Sequence, residues 1–219
     1  VKESSEWTFT IDRTAPTLTH NPVSTAILSE SIEIGAIAED NLSGINSLDL
    51  YYRVGGQQWR GPYDLSSGNY TISGADVTTE GLAYTIVATD GALNTTNFPA
   101  DKPQDIKVTI PGDGQLSAAR WPSGVPSGKE VTNYQLISFP IIPDNGSAQA
   151  ILEDDLGTYD NTLWRFYGYS GGGNYQEYPS VIVAPGFSYF LITTQEGLTI
   201  DTDAGKTAIT SQPFEINLN

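Results

Sequence analysis

Leu48-Asp49-Leu50-Tyr51-Tyr52-Arg53-Val54 is the stretch on which the fold turns. Leu48, Leu50, Tyr52 and Val54 share one side of a two-residue period, the pattern of a half-buried strand. The rhythm recurs on either side. Upstream, residues 31–38 place Ile32, Ile34, Ala36 and Ala38 on one face, and Leu18 opens a shorter strand. Downstream, residues 69–73 form a short strand, Tyr84, Ile86 and Ala88 alternate within 83–89, and Ile106, Val108 and Ile110 close the series. A further alternation at Thr8-Phe9-Thr10-Ile11 is broken by Asp12–Pro16, because Pro16 cannot serve a central ladder. About seven strands separated by turn residues predict an antiparallel sandwich over residues 12–111.

Pro111-Gly112-Asp113-Gly114 is turn-forming and free of large apolar residues, so a second β-rich domain is expected over 112–219. Its opening run, 134–142, carries Leu136, Ile137, Phe139, Ile141 and Ile142, is interrupted by Pro140 and stops at Pro143. One helix is predicted at about 147–156, capped by Ser147 and ended by Gly157, with Ala148, Ile151, Leu152 and Leu156 as its buried stripe. Strands follow at 163–169, 175–178, 187–193, 198–202 and 214–218, with Gly171-Gly172-Gly173 tipping a hairpin. The expected class is all-β: tandem antiparallel β-sandwich domains, the second with one short helix.

Composition narrows the function classes. Twenty-six acidic residues against ten basic ones give a net charge of −16, which opposes binding to nucleic acid and to anionic membranes. Without cysteine, neither disulfides nor thiolate zinc sites nor thiol catalysis can form. No apolar run reaches the roughly 18 residues of a membrane helix, so no membrane insertion is expected. Methionine is absent even at position 1, as expected of an excised or processed fragment.

Several motifs together carry a family resemblance. Asp12-Arg13-Thr14-Ala15-Pro16, the loop 38–45 (Ala-Glu-Asp-Asn-Leu-Ser-Gly-Ile), Leu50-Tyr51-Tyr52-Arg53, Trp59, and Ala88-Thr89-Asp90-Gly91-Ala92-Leu93-Asn94 occur in this order. Residues 12–110 thereby resemble the Ig-like or fibronectin-type-III-like repeats of bacterial extracellular proteins. Leu93 stands where that turn ordinarily has glycine. Residues 131–219 resemble a β-rich module appended to secreted surface proteins of Bacteroidetes type. The carriers are 134–140 (Tyr-Gln-Leu-Ile-Ser-Phe-Pro), Trp164-Arg165-Phe166-Tyr167 and 185–190 (Pro-Gly-Phe-Ser-Tyr-Phe). The resemblance implies an extracellular or cell-surface location and no assigned chemistry. Residues 1–11 look like the last strand of a preceding repeat, so Trp7 and Phe9 are expected to contact a neighbouring domain or another copy of the chain.

Catalytic patterns are weak. Gly168-Tyr169-Ser170-Gly171-Gly172 fits G-x-S-x-G, but a nucleophile elbow needs a following helix, and the single histidine, His20, lies upstream in a loop-like context that suggests a surface residue. Calcium suits the oxygen donors Asp40, Asn41, Ser43 and Asp90, because the loops that carry them share one pole of an Ig-like sandwich. Asp12 is expected near the opposite end. The same residue types also shape turns through their own hydrogen bonds, so both readings stand. Trp164, Tyr167, Tyr169, Tyr175 and Tyr178 form either a platform for polysaccharide or part of the core. The expected function is a non-catalytic structural or adhesive segment of a secreted or cell-surface multidomain protein, spacing other domains or assembling into a fibre, with no required cofactor and with calcium able to stiffen the joint. The alternative is a carbohydrate-binding accessory region of a secreted enzyme.

Overall fold

The computed structural model describes residues 10–112, 119–120, 127–139, 141–197, 199–200 and 203–209. Among them the fold is mostly antiparallel β with a single α-helix.

The first half contains β1 (Thr17–His20), β2 (Thr25–Ile27), β3 (Ile32–Glu39), β4 (Ile45–Val54), β5 (Arg60–Asp64), β6 (Asn69–Ile72), β7 (Leu82–Asp90), β8 (Thr95–Phe98) and β9 (Gln104–Ile110). One sheet is β1-β3-β6; the other runs β5-β4-β7-β9, with β8 on β7 and β2 parallel to β9. The predicted alternation is what fills the space between them. Leu48, Leu50, Tyr52 and Val54 are buried, as are Tyr84, Ile86 and Ala88, and all meet Ile34 and Ile72 in one cluster with Ile106 and Val108. Each fully buried aliphatic side chain here contributes about 1.5–3 kcal/mol. At one end, the Tyr52 hydroxyl and Arg60 Nη1 both donate to Asp76, at 2.8 and 2.6 Å, tying β4 and β5 to the helical turn Gly74–Asp76.

His20 is no free surface residue. It ends β1 half-buried, with Nδ1 2.6 Å from the Gly35 carbonyl and Nε2 2.7 Å from the Tyr84 hydroxyl. The carbonyl can only accept, so Nδ1 carries a proton. The strands β2, β5 and β8, short and rich in polar residues or proline, lack the alternation that marks their neighbours.

The second half contains β10 (Ala119–Arg120), β11 (Gln135–Ser138), β12 (Ile141–Pro143), α1 (Ala148–Leu156), β13 (Trp164–Tyr169), β14 (Tyr175–Glu177), β15 (Ser188–Thr193), β16 (Thr199–Ile200) and β17 (Gly205–Thr207). A four-stranded sheet runs β11-β15-β13-β14, and β10 pairs with β16. Ser147 Oγ accepts from the Ala150 amide and caps α1, which Gly157 ends at φ +77°. The predicted stripe Ala148, Ile151, Leu152 and Leu156 is buried against Trp164, Phe166, Tyr189 and Leu191. The expected strand at 214–218 lies outside the described residues, and residues 10–11 form no strand.

The apolar run 134–142 does not make one strand. On one side of residue 140, β11 pairs with β15; on the other, β12 pairs with β17. In turn β17 pairs with β9, Gly205 opposite Ile110 and Lys206 opposite Thr109. One eight-stranded sheet therefore continues from the first core into the second half of the chain, in the order β12-β17-β9-β7-β4-β5 with β2 added on β9 and β8 on β7. Its seam is dry. Thr207 is 1 % exposed, and its Oγ1 accepts the Val108 amide at 2.9 Å. Gly205 is required there, since a Cβ would lie 2.6 Å from the Ile142 carbonyl oxygen.

Candidate functional site

Two surfaces hold the predicted site residues. The first is the loop pole of the sandwich, where the β3–β4 and β7–β8 turns meet. Asp40 Oδ2 accepts the amides of Leu42, Ser43 and Gly44 at 3.0, 2.8 and 2.8 Å. Asp90 is fully buried; its Oδ1 accepts the amides of Ala92 and Asn94, and its Oδ2 accepts from Asn94 Nδ2. The turns dock through the Gly91 amide on the Gly44 carbonyl, 2.9 Å apart. Gly91 permits this approach, because a Cβ would sit 2.6 Å from the Ser43 carbonyl oxygen. Leu93 takes the glycine-like role in the same turn with φ +69°.

Asp12 lies at this pole, contrary to its expected place at the other end. Its Oδ2 accepts the Ser43 amide at 3.2 Å and its Oδ1 the Thr14 amide at 3.0 Å; the Ser43 side chain, then the Thr14 amide, hold its carboxyl below the ordinary aspartate range. The lead-in to β1 folds back over the β3–β4 turn instead of running away from it. Carboxylate oxygens of Asp12, Asp40 and Asp90 fall within 4.8 Å of one another. Among the described residues these three form a cluster able to hold a hard cation, and Asp40 Oδ1 is buried without a hydrogen-bond partner. Ser43 joins them through its backbone amide and through its hydroxyl, which donates to Asp40 Oδ2 at 3.4 Å and accepts the Ala92 amide. Asn41 is exposed and lines a depression of about 540 Å³ with Asp40, Thr14, Thr17 and Glu39. The pole lies at the Asp90 end of β7, while Gly81, preceding the other end, abuts Thr207 of the seam. Nine residues of strand, about 27 Å, separate the two. A cation at the pole would thus act where the chain enters the sandwich, not at the seam.

The second surface is the outer face of β11-β15-β13-β14. Parity along β13 sorts its aromatics: Trp164 and Phe166 point into the core, Tyr167 and Tyr169 away from it. Trp164 is 1 % exposed and Tyr178 8 %, so neither belongs to a surface platform. Trp164 meets Tyr159 and Tyr178 edge-on at 4.8 and 5.1 Å. The Tyr178 hydroxyl donates to Glu153 at 2.6 Å, and burial together with that carboxylate pushes its pKa up to about 12.

Tyr167, Tyr169 and Tyr175 do reach the outer face. Val131, Tyr134 and Phe190 join Tyr167 and Tyr175 around a depression of about 500 Å³. Tyr134 also borders an adjoining pocket of about 260 Å³ that takes in Lys129, Asn161, Thr162, Arg165 and Thr194. Arg165 Nε, Tyr167 Oη and Tyr159 Oη all donate to Glu177 Oε1, at 2.7, 2.9 and 2.9 Å. Chiefly through the Arg165 bond, Glu177 is held below the ordinary glutamate range. The Arg165 guanidinium lies 5.0 Å from the Tyr167 ring centroid.

Ser170 sits in the β13–β14 hairpin, with strand on both sides, and its hydroxyl donates to the Asn174 carbonyl. A nucleophile elbow would be followed by a helix. Trp7 and Phe9 lie outside the described residues. No protein-family model matches this chain, and no curated protein matches it.

Proposed function

We propose that this chain is a non-catalytic structural and adhesive segment of a secreted or cell-surface multidomain protein, acting as a stiff spacer. The observation that carries the reading is the pairing of β9 with β17. A ladder leaving the first core and continuing into the second half resists bending far better than a free linker, whose ends move independently. The sheet order, β1-β3-β6 facing β5-β4-β7-β9, supports the Ig-like reading of the first half. That architecture is common in surface proteins built from domains in series. The acidic surface suits a soluble spacer that does not stick to nucleic acid or anionic lipid. Among the described residues no helix is long and apolar enough to cross a membrane.

Absence of cysteine makes the test direct. Ser66 and Gln176 are exposed, one in the first half and one on β14, so S66C and Q176C accept a donor and an acceptor dye. Single-molecule energy transfer is expected to give one narrow distance population. A broad or multi-peaked distribution in the native chain would remove the spacer reading.

A further inference from the structure

The outer depression of the second half combines two chemistries that one ligand class matches. Its floor is aromatic: Tyr134 and Tyr167 have ring centroids 6.1 Å apart, and Tyr175 and Phe190 5.9 Å apart. Its neighbour beyond Tyr134 is mixed, with donors and acceptors from Asn161, Thr162, Arg165 and Thr194 beside apolar Leu163 and Ile192. Arg165 uses only Nε in its bond to Glu177.

Volume and polarity select the occupant. Depressions of about 500 and 260 Å³ meeting at one tyrosine accommodate a small extended ligand, not a folded domain. A wholly apolar ligand would strip water from Lys129 and Arg165 without returning hydrogen bonds. A polyanion would approach against the net charge of −16. A pyranose ring has an apolar C–H face that stacks on aromatic carbon and a rim of hydroxyls that both donate and accept.

We propose that this depression binds a neutral glycan, one ring stacking among Tyr134, Tyr167, Tyr175 and Phe190 and the next hydroxyls meeting Arg165 and Asn161. The inference goes beyond the spacer reading, and either can fail without the other.

Calorimetric titration of the whole chain with cellohexaose, xylohexaose, laminarihexaose and maltohexaose tests it. Saturable binding to at least one hexamer is expected, weakened tenfold or more by Tyr175→Ala. Trp59→Ala removes a comparably exposed aromatic from the first half, 40 % against 58 % for Tyr175, and should leave the affinity unchanged. Val131→Lys, at a position 84 % exposed on the rim, offers a second disruption should Tyr175→Ala fail to fold. No saturable binding to any hexamer would overturn the proposal, as would binding equally reduced by Trp59→Ala. Self-association lost in Tyr175→Ala, with no glycan bound, would assign the face to a second copy and also overturn it.

Discussion

The two halves of the chain use polar and aromatic side chains in opposite ways. At the loop pole of the first sandwich, Asp12, Asp40 and Asp90 take backbone amides from their own turns, so the carboxylates chiefly build local structure. On the outer sheet of the second half, Tyr169 and Tyr175 are more than half exposed beside Tyr167 and Phe190. Apart from Asp40 Oδ1, the first surface is satisfied internally, while the other presents apolar carbon to water, which marks interaction surfaces when contiguous. The proposed glycan site lies on the second half, and the first half would serve the proposed spacer role.

Changing the inward aromatic of β13 should have the largest effect. Trp164→Ala is expected to destabilise the second core by about 3–5 kcal/mol in chemical denaturation, because it empties a buried site. A folded Trp164→Ala variant of wild-type stability would mean the ring is not in the core. Next comes Asp90→Ala, which leaves the amides of Ala92 and Asn94 without their acceptor and is expected to cost about 2–3 kcal/mol. Near-zero cost would break the claim that this carboxylate builds its turn.

Thr207→Val keeps the shape of the seam but orphans the buried Val108 amide, with an expected loss of about 1–2 kcal/mol. Hydrogen exchange at Val108 should accelerate in that variant, while exchange at Leu50 changes less. Acid offers a milder lever. Glu177 has a lowered pKa in the fold, so its contribution is complete above the ordinary glutamate pKa and is lost as pH falls through the folded value. Glu177→Gln should therefore cost stability at neutral pH, and its deficit against the native chain should shrink as pH falls through the folded value, read by chemical denaturation at neutral and acidic pH. The smallest expected effect is a gain: Leu93→Gly relieves a left-handed φ of +69° and should stabilise by about 0.5–1 kcal/mol, read as a raised melting midpoint.

Legibility from sequence followed the same divide. Strands β3, β4, β7 and β9 each pack one face on a single core, so period-two alternation exposed them and their buried residues. The helix was legible from its cap, its stripe and Gly157. In residues 134–142 the interruption at Pro140 was legible, but not that the two sides join different sheets, because an apolar run carries no mark of its partner strands. Asp12 escaped because the contact with Ser43 spans 31 residues and leaves no local trace. In the aromatic cluster, Arg165 was the overlooked signal. A charged residue between Trp164 and Phe166 marks the opposite face, which assigns Tyr167 and Tyr169 outward and Trp164 inward. Tyr178 had no such marker, since it follows the end of β14.

The seam between the halves is the feature on which the spacer reading depends, and residual dipolar couplings measure it directly. Amides of β3, β4 and β7 report one core, and those of β13 and β15 the other. If β9 and β17 remain paired in solution, a single alignment tensor will fit both sets. Two tensors of different magnitude or rhombicity would mean that the halves move independently, and the account of a stiff spacer would be wrong.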